Sequence, residues 1–266
     1  IDCQCFQTYS ATRGIGRFVY EFLLNLSRRN QEIKLVFSLN SNLKDELIIA
    51  REKLINDISN CEVVIWNGIA KGFERDTQFN HEREIDQSLI LEHINESNCD
   101  IALFPSQFEG MDSLASPLLD VSKLKMPSIG IFHDAIPHRF PNIYLSNGKI
   151  KDAYYRRLNS FNFFHNVLCL SKFTQKEYTE IFSKTNTFVT GAGLPEEFLS
   201  KKNKAERNSL TEKSGNSEYV LYVGGADKRK DINTIAKALA VLANQGIYFD
   251  LYLVGKHNRE IRSSLE

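Results

Sequence analysis

The chain has no net charge, no long apolar run and no cysteine pattern. Its 33 Lys plus Arg balance its 33 Asp plus Glu. Without a basic excess to neutralise phosphates, nucleic acid is not expected as the main partner. No uninterrupted apolar stretch approaches the roughly 18 residues that a membrane span needs. The five cysteines, Cys3, Cys5, Cys61, Cys99 and Cys169, are odd in number, and none has C-x-x-C or zinc-finger spacing. Most lie in or beside apolar runs, so free thiols in a reducing compartment are expected, which points to the cytoplasm. No signal-peptide pattern, no D-x-D acidic pair and no solenoid-length repeat is visible. No metal site is therefore expected.

What is present is ordinary for a globular protein. Hydrophobic residues make up 42% of 266 residues and charged residues 25%. That length suits one large domain or two ordinary ones. Strand-like and helix-like segments alternate. Strands are expected at Ile1–Phe6, Ile33–Leu39, Cys61–Trp66, Asp100–Pro105, Pro127–Phe132, Val167–Leu170 and Thr187–Thr190. Helices are expected from Val19 to about Arg29, over Leu43–Asp57, Ile85–Ile94 and Ile150–Phe164, and from an N-cap at Ser171 through Phe182. Such alternation predicts a parallel sheet covered on both faces. Ile1 opens inside an expected strand, so the start of that strand is expected upstream.

Residues 200–217 turn polar, as a linker does, and divide a first domain, 1–199, from a second, 218–266. The second holds two expected strands, Tyr219–Val223 and Phe249–Val254, too few to bury a core. It is expected to continue beyond Glu266.

Candidate site residues fall in the loops after strands. After Tyr219–Val223 come Gly224 and Gly225, then a cationic run that includes Arg229 and Lys230. Asp231 precedes Ile232, Ile235, Ala236 and Leu239, which share one helix face, so it is placed to cap that helix. Glycines, cations and a helix N-terminus together bind phosphate. The same residues also fit an ordinary turn with a solvated charge run. Gly14 and Gly16 form a second strand–glycine–helix turn, read either as an anion cradle or as a tight turn. The third glycine of a dinucleotide fingerprint is missing there, and Asn40 stands where a ribose-binding acid would, which disfavours NAD. His133 and Asp134 follow the fifth strand directly. His133 suits a hydrogen bond or charge to a substrate, and Asp134 suits the same site or a capped turn. Glu109, Arg156 and Arg157 read more readily as solvated charges, and 67–80 as an exposed loop. The aromatic residues of 154–164 read as core or as partner surface.

Taken in order, RGIGRFVYEFL, IFHDAIPHRFP, LCLSKFT, VTGAGLPEEF, YVLYVGGADKRKDINTIAKAL and LYLVGK resemble glycosyltransferase family 4 over nearly the whole chain. The resemblance is greatest to bacterial mannosyltransferase-like members. It implies an α/β chain of the GT-B type: a Rossmann-like acceptor-side domain and the start of a second, nucleotide-sugar-binding one. It implies a retaining transferase that moves a sugar from a nucleotide-diphosphate donor to a glycan or lipid-linked acceptor in surface polysaccharide synthesis. GDP-mannose is the family-level donor, and no other cofactor is implied. In that likeness Gly14 and Gly16 approach donor and acceptor, and His133 contacts the transferred sugar. Arg229 and Lys230 hold the donor phosphates. Many members have an arginine where this chain has Gly225, and the family's paired glutamates lie beyond Glu266. With a lipid-linked acceptor, Arg28, Arg29, Arg156 and Arg157 would meet the membrane surface peripherally. A non-catalytic acceptor-binding or scaffold domain is the alternative.

Overall fold

The computed structural model describes residues 1–196, 218–225 and 230–255. It is an α/β protein with parallel sheets, in two compact units, Ile1–Pro195 and Glu196–Glu266. The expected linker, 200–217, lies outside the described residues.

The first unit is built on β1 (Leu35–Asn40), β2 (Cys61–Trp66), β3 (Ala102–Phe104), β4 (Ser128–Phe132), β5 (Asn166–Cys169) and β6 (Thr187–Val189). β1 pairs with β2, and β3 through β6 form a second parallel set in sequence order. The first residues join the two sets. Asp2 bridges Ser38 of β1, Cys3 N–H donates to Ser38 O, and Asp2 N–H donates to Leu103 O of β3. The spatial order is thus β2, β1, the first segment, β3, β4, β5, β6. Chain order reverses between the first segment and β3, the crevice where open α/β sheets bind ligands.

The first segment departs from the expected strand Ile1–Phe6. Extended pairing stops after Cys3, and Gln4–Gln7 is a 3₁₀ turn. The reason is polar. Gln4 turns back so that its backbone and side-chain N–H groups donate to the buried Asp2 carboxylate, at 3.2 and 3.1 Å. Gln7 then exchanges two 2.8 Å bonds with the Asn40 backbone.

The helices are α1 (Gly14–Arg29), α2 (Lys44–Asp57), α3 (Asn80–Glu96), two single turns α4 (Ile136–Arg139) and α5 (Pro141–Tyr144), α6 (Gly148–Ser160) and α7 (Lys172–Phe182). Ser171 caps α7 by accepting from Thr174 N–H. Successive strand residues point to opposite sides of the sheet. Leu103 and Ile131 therefore join Val19, Leu23, Phe37 and Leu54 in one core, with α1 and α2. Phe104 and Phe132 join Ile90, Leu158, Phe161 and Tyr178 in the other, with α3, α6 and α7. Tyr154, Phe161 and Phe164 are core residues, as expected, whereas Phe163 is 45% exposed.

Arg157 and the loop residue Glu74, both expected in solvent, are internal, as is Arg83. Arg157 is 1% exposed, Glu74 4% and Arg83 9% at their side chains. Glu74 accepts from Arg157 at 2.7 Å and lies 3.1 Å from Arg156 and 3.4 Å from Arg83. The segment 67–80 is consequently not a free loop: Ala70 and Glu74 within it are buried.

In the second unit β7 (Tyr219–Val223) and β8 (Asp250–Val254) pair in parallel around α8 (Ile232–Ala243). Among its described residues, Tyr222 and Ile232 are the buried apolar ones.

Candidate functional site at the strand-order reversal

The site in the first unit starts from α1. Arg13 occupies the N-cap position with extended backbone and no side-chain cap bond. Its carbonyl accepts from Arg17 N–H at 3.0 Å, which begins the helical ladder. The first-turn N–H groups carry partial positive charge and have no intrahelical partner. Gly14 is exposed, with no atom within 4 Å of where a Cβ would stand. A ligand can approach the backbone there. Gly16 differs: a Cβ would lie 2.4 Å from Ser10 O and 2.7 Å from Ala11 Cα. That glycine is required by the turn packed against it, Tyr9–Thr12. Of the two readings of this turn, the close contacts at Gly16 match the tight turn, and the open space at Gly14 leaves its backbone accessible.

One helical turn on, the Phe18 ring meets the His133 ring edge-on at 5.7 Å. His133 leaves β4 directly, partly buried, and its Nε2 is 2.8 Å from Pro105 O. A carbonyl can only accept, so Nε2 carries the proton and Nδ1 keeps a lone pair. Burial holds His133 below the ordinary histidine range, although the Pro105 bond and the Asp134 and Glu109 charges act the other way. The ring is thus a neutral hydrogen-bond acceptor at neutral pH.

Asp134 is exposed and its carboxylate accepts from Ile136 N–H at 3.1 Å, closing the turn into α4. It takes the capped-turn role. The exposed His138 meets Tyr155 edge-on at 5.8 Å.

Glu109 is the residue that sequence reasoning undervalued. Instead of a solvated loop carboxylate it is 6% exposed. Thr8 Oγ1 donates to one oxygen at 2.6 Å and Ser106 Oγ to the other at 2.8 Å. The only sequence signal was its place after the fourth strand. Its hydroxyl partner Thr8 is 101 residues away. Asn40 is buried, and its side-chain oxygen accepts from Asn42 N–H at 2.9 Å and Gly68 N–H at 3.3 Å.

The second unit carries Gly224, Gly225 and Lys230. Gly224 N–H donates to Val254 O at 2.9 Å, and Tyr222 Oη donates to Gly225 O at 3.0 Å. The Lys230 stem crosses Gly224, its Cδ 2.8 Å from where a Cβ would stand. Its ammonium has no salt bridge among the described residues. Asp231, at φ 41°, caps α8 through Thr234 N–H at 3.3 Å and Thr234 Oγ1 at 2.7 Å. Arg229 lies outside the described residues.

Among the described residues, no group of three or more His, Cys, Asp or Glu is arranged to hold a metal ion. No helix there is long and apolar enough to cross a membrane. No protein-family model matches the chain, and no curated protein is similar enough to count as a match.

Proposed function

We propose that the protein is a retaining glycosyltransferase of the GT-B type, which transfers a sugar from a nucleotide-diphosphate donor to a glycan or lipid-linked acceptor. The first unit would take the acceptor side, and the second the donor phosphates. The observation that carries this reading is His133, held neutral with its Nδ1 lone pair free beside the open N-terminus of α1 at the strand-order reversal. A sugar hydroxyl donates naturally to such a nitrogen, while backbone N–H groups at Gly14 receive an oxyanion.

The reaction breaks the bond between the sugar's anomeric carbon and phosphate oxygen, and the electron pair leaves with the diphosphate. Lys230, folded over the Gly224 turn beside the α8 N-terminus, would stabilise that charge more in the transition state than before it. Arg229 is assigned the same role from sequence. A mannosyl donor, and work in surface polysaccharide synthesis on the cytoplasmic face of a membrane, complete the proposal.

The test is a panel of nucleotide sugars offered with and without oligosaccharide acceptors to the full-length protein. Product appearing with one donor, and falling about tenfold or more in His133→Ala while the fold persists, supports the reading. Absence of both transfer and donor hydrolysis across the panel refutes it.

A further inference from the structure

Ligands of open α/β sheets gather at the carboxyl ends of the strands. A second feature of this unit lies along α6. A groove of about 500 Å³ runs along α6 and the turn that follows it. Its wall is a single helix stripe, Asp152, Tyr155, Arg156 and Asn159, at i, i+3, i+4 and i+7, continued by Phe163. Leu119 and Asp120, the latter capping the 3₁₀ turn Val121–Lys123, face this stripe. Phe163 lies three residues ahead of β5, whereas Tyr155 meets His138, which follows β4, and Arg156 meets Glu74, which follows β2, so the groove runs along the length of α6. His133 stands at the carboxyl end of β4.

We propose that this groove binds a neutral oligosaccharide. The argument begins with its aromatic residues. Tyr155 is partly buried against the neighbouring core. Phe163, by contrast, is 45% exposed. The Tyr155 ring is fixed edge-on between Tyr154, at 5.4 Å, and His138, at 5.8 Å. The exposed Phe163 ring and the positioned Tyr155 ring offer apolar surface to the C–H groups of a pyranose.

The polar groups complete the chemistry. Asp152 and Asn159 are exposed planar groups that accept from, and in the amide's case donate to, adjacent hydroxyls. Arg156 is oriented by Glu74 at 3.1 Å and keeps further N–H donors. The charges nearly cancel. Asp120 is paired with Lys123 at 3.4 Å and accepts from Ser122, which leaves Asp152 opposed by Arg156. A groove with no net sign, planar hydrogen-bonding groups and exposed rings selects an uncharged polyol over a phosphate or a basic peptide. This site needs no donor nucleotide, so it stands or falls separately from the transferase reading.

The experiment titrates the whole protein with linear oligosaccharides of mannose, of glucose and of galactose, and in parallel with tetramethylammonium. Saturation-transfer NMR and calorimetry report binding. At least one oligosaccharide should bind, and Phe163→Ala and Asp152→Ala, both at exposed positions, should each weaken it about tenfold with the circular dichroism unchanged. Three results would overturn the proposal: no saccharide binds; tetramethylammonium binds in place of any saccharide; or binding survives both groove substitutions. If the surviving binding is lost in His133→Ala, the sugar belongs to the candidate site instead.

Discussion

Replacing Glu74 by glutamine should lower the melting temperature of the first unit by many degrees, although the two side chains have the same shape. Glu74 is the anion among three guanidinium groups, at 2.7 Å from Arg157, 3.1 Å from Arg156 and 3.4 Å from Arg83. Arg157 is 1% exposed and cannot turn to water when the charge is removed. Its other anionic neighbour, Glu109, already has both oxygens occupied by Thr8 and Ser106. Arg83 retains the charge of the buried Asp86 nearby. The net result is at least one uncompensated buried cation, which costs about 3–5 kcal/mol. In a unit of this size each kcal/mol moves the midpoint by roughly 2–4 °C, so a fall of about 6–20 °C is expected. Thermal unfolding followed by circular dichroism measures it. The exposed pair of Arg75 and Asp112, at 2.8 Å, provides the control, because Asp112→Asn should cost about 1 kcal/mol or less. Burial pushes Glu74 up, but Arg157, Arg156 and Arg83 together bring it below the usual carboxylate range. Its contribution is therefore complete above the unfolded value and is lost as pH falls through the lower folded one. A Glu74→Gln protein melting within about 2 °C of the parent would refute the reasoning.

Two further outcomes follow from the same sheet. Burial raises the Asp2 carboxyl from 3.8 to about 6, against the opposing bonds from Gln4. The folded state therefore binds the proton more tightly, and stability declines as pH rises from about 4 to about 6, by roughly 3 kcal/mol. Asp2→Asn should flatten that part of a urea-midpoint profile, and an unchanged slope would contradict it. The two glycines of the α1 turn should separate in the same assay. Gly16→Ala forces a Cβ to 2.4 Å from Ser10 O and should cost about 1–3 kcal/mol, whereas Gly14→Ala enters open space and should leave stability unaltered.

The elements were legible because local patterns specify them. Cys61–Trp66 and Tyr219–Val223 are apolar runs bounded by polar residues or glycine, and each is a strand over the residues expected. Ser171 and Asp231 cap their helices as their positions before apolar-periodic segments suggest. What was not legible depends on partners distant in sequence. Arg157 reads as the second of two surface arginines until Glu74, 83 residues earlier, is brought to it. Glu109 reads as a loop carboxylate until Thr8 is folded against it. The first strand was over-extended because alternation along Ile1–Phe6 carries no sign that Gln4 will bend back to Asp2. At the candidate site, the place of His133 after a buried strand was visible. Its tautomer, which depends on Pro105 O from a neighbouring strand end, was not.

The most direct test of the transferase account is the turnover of Lys230→Ala, measured as nucleoside diphosphate released from the preferred nucleotide sugar. The account predicts a fall of about tenfold or more with the melting curve unchanged, because the lost ammonium acts on charge that develops in the transition state. Turnover close to that of the parent protein would contradict it.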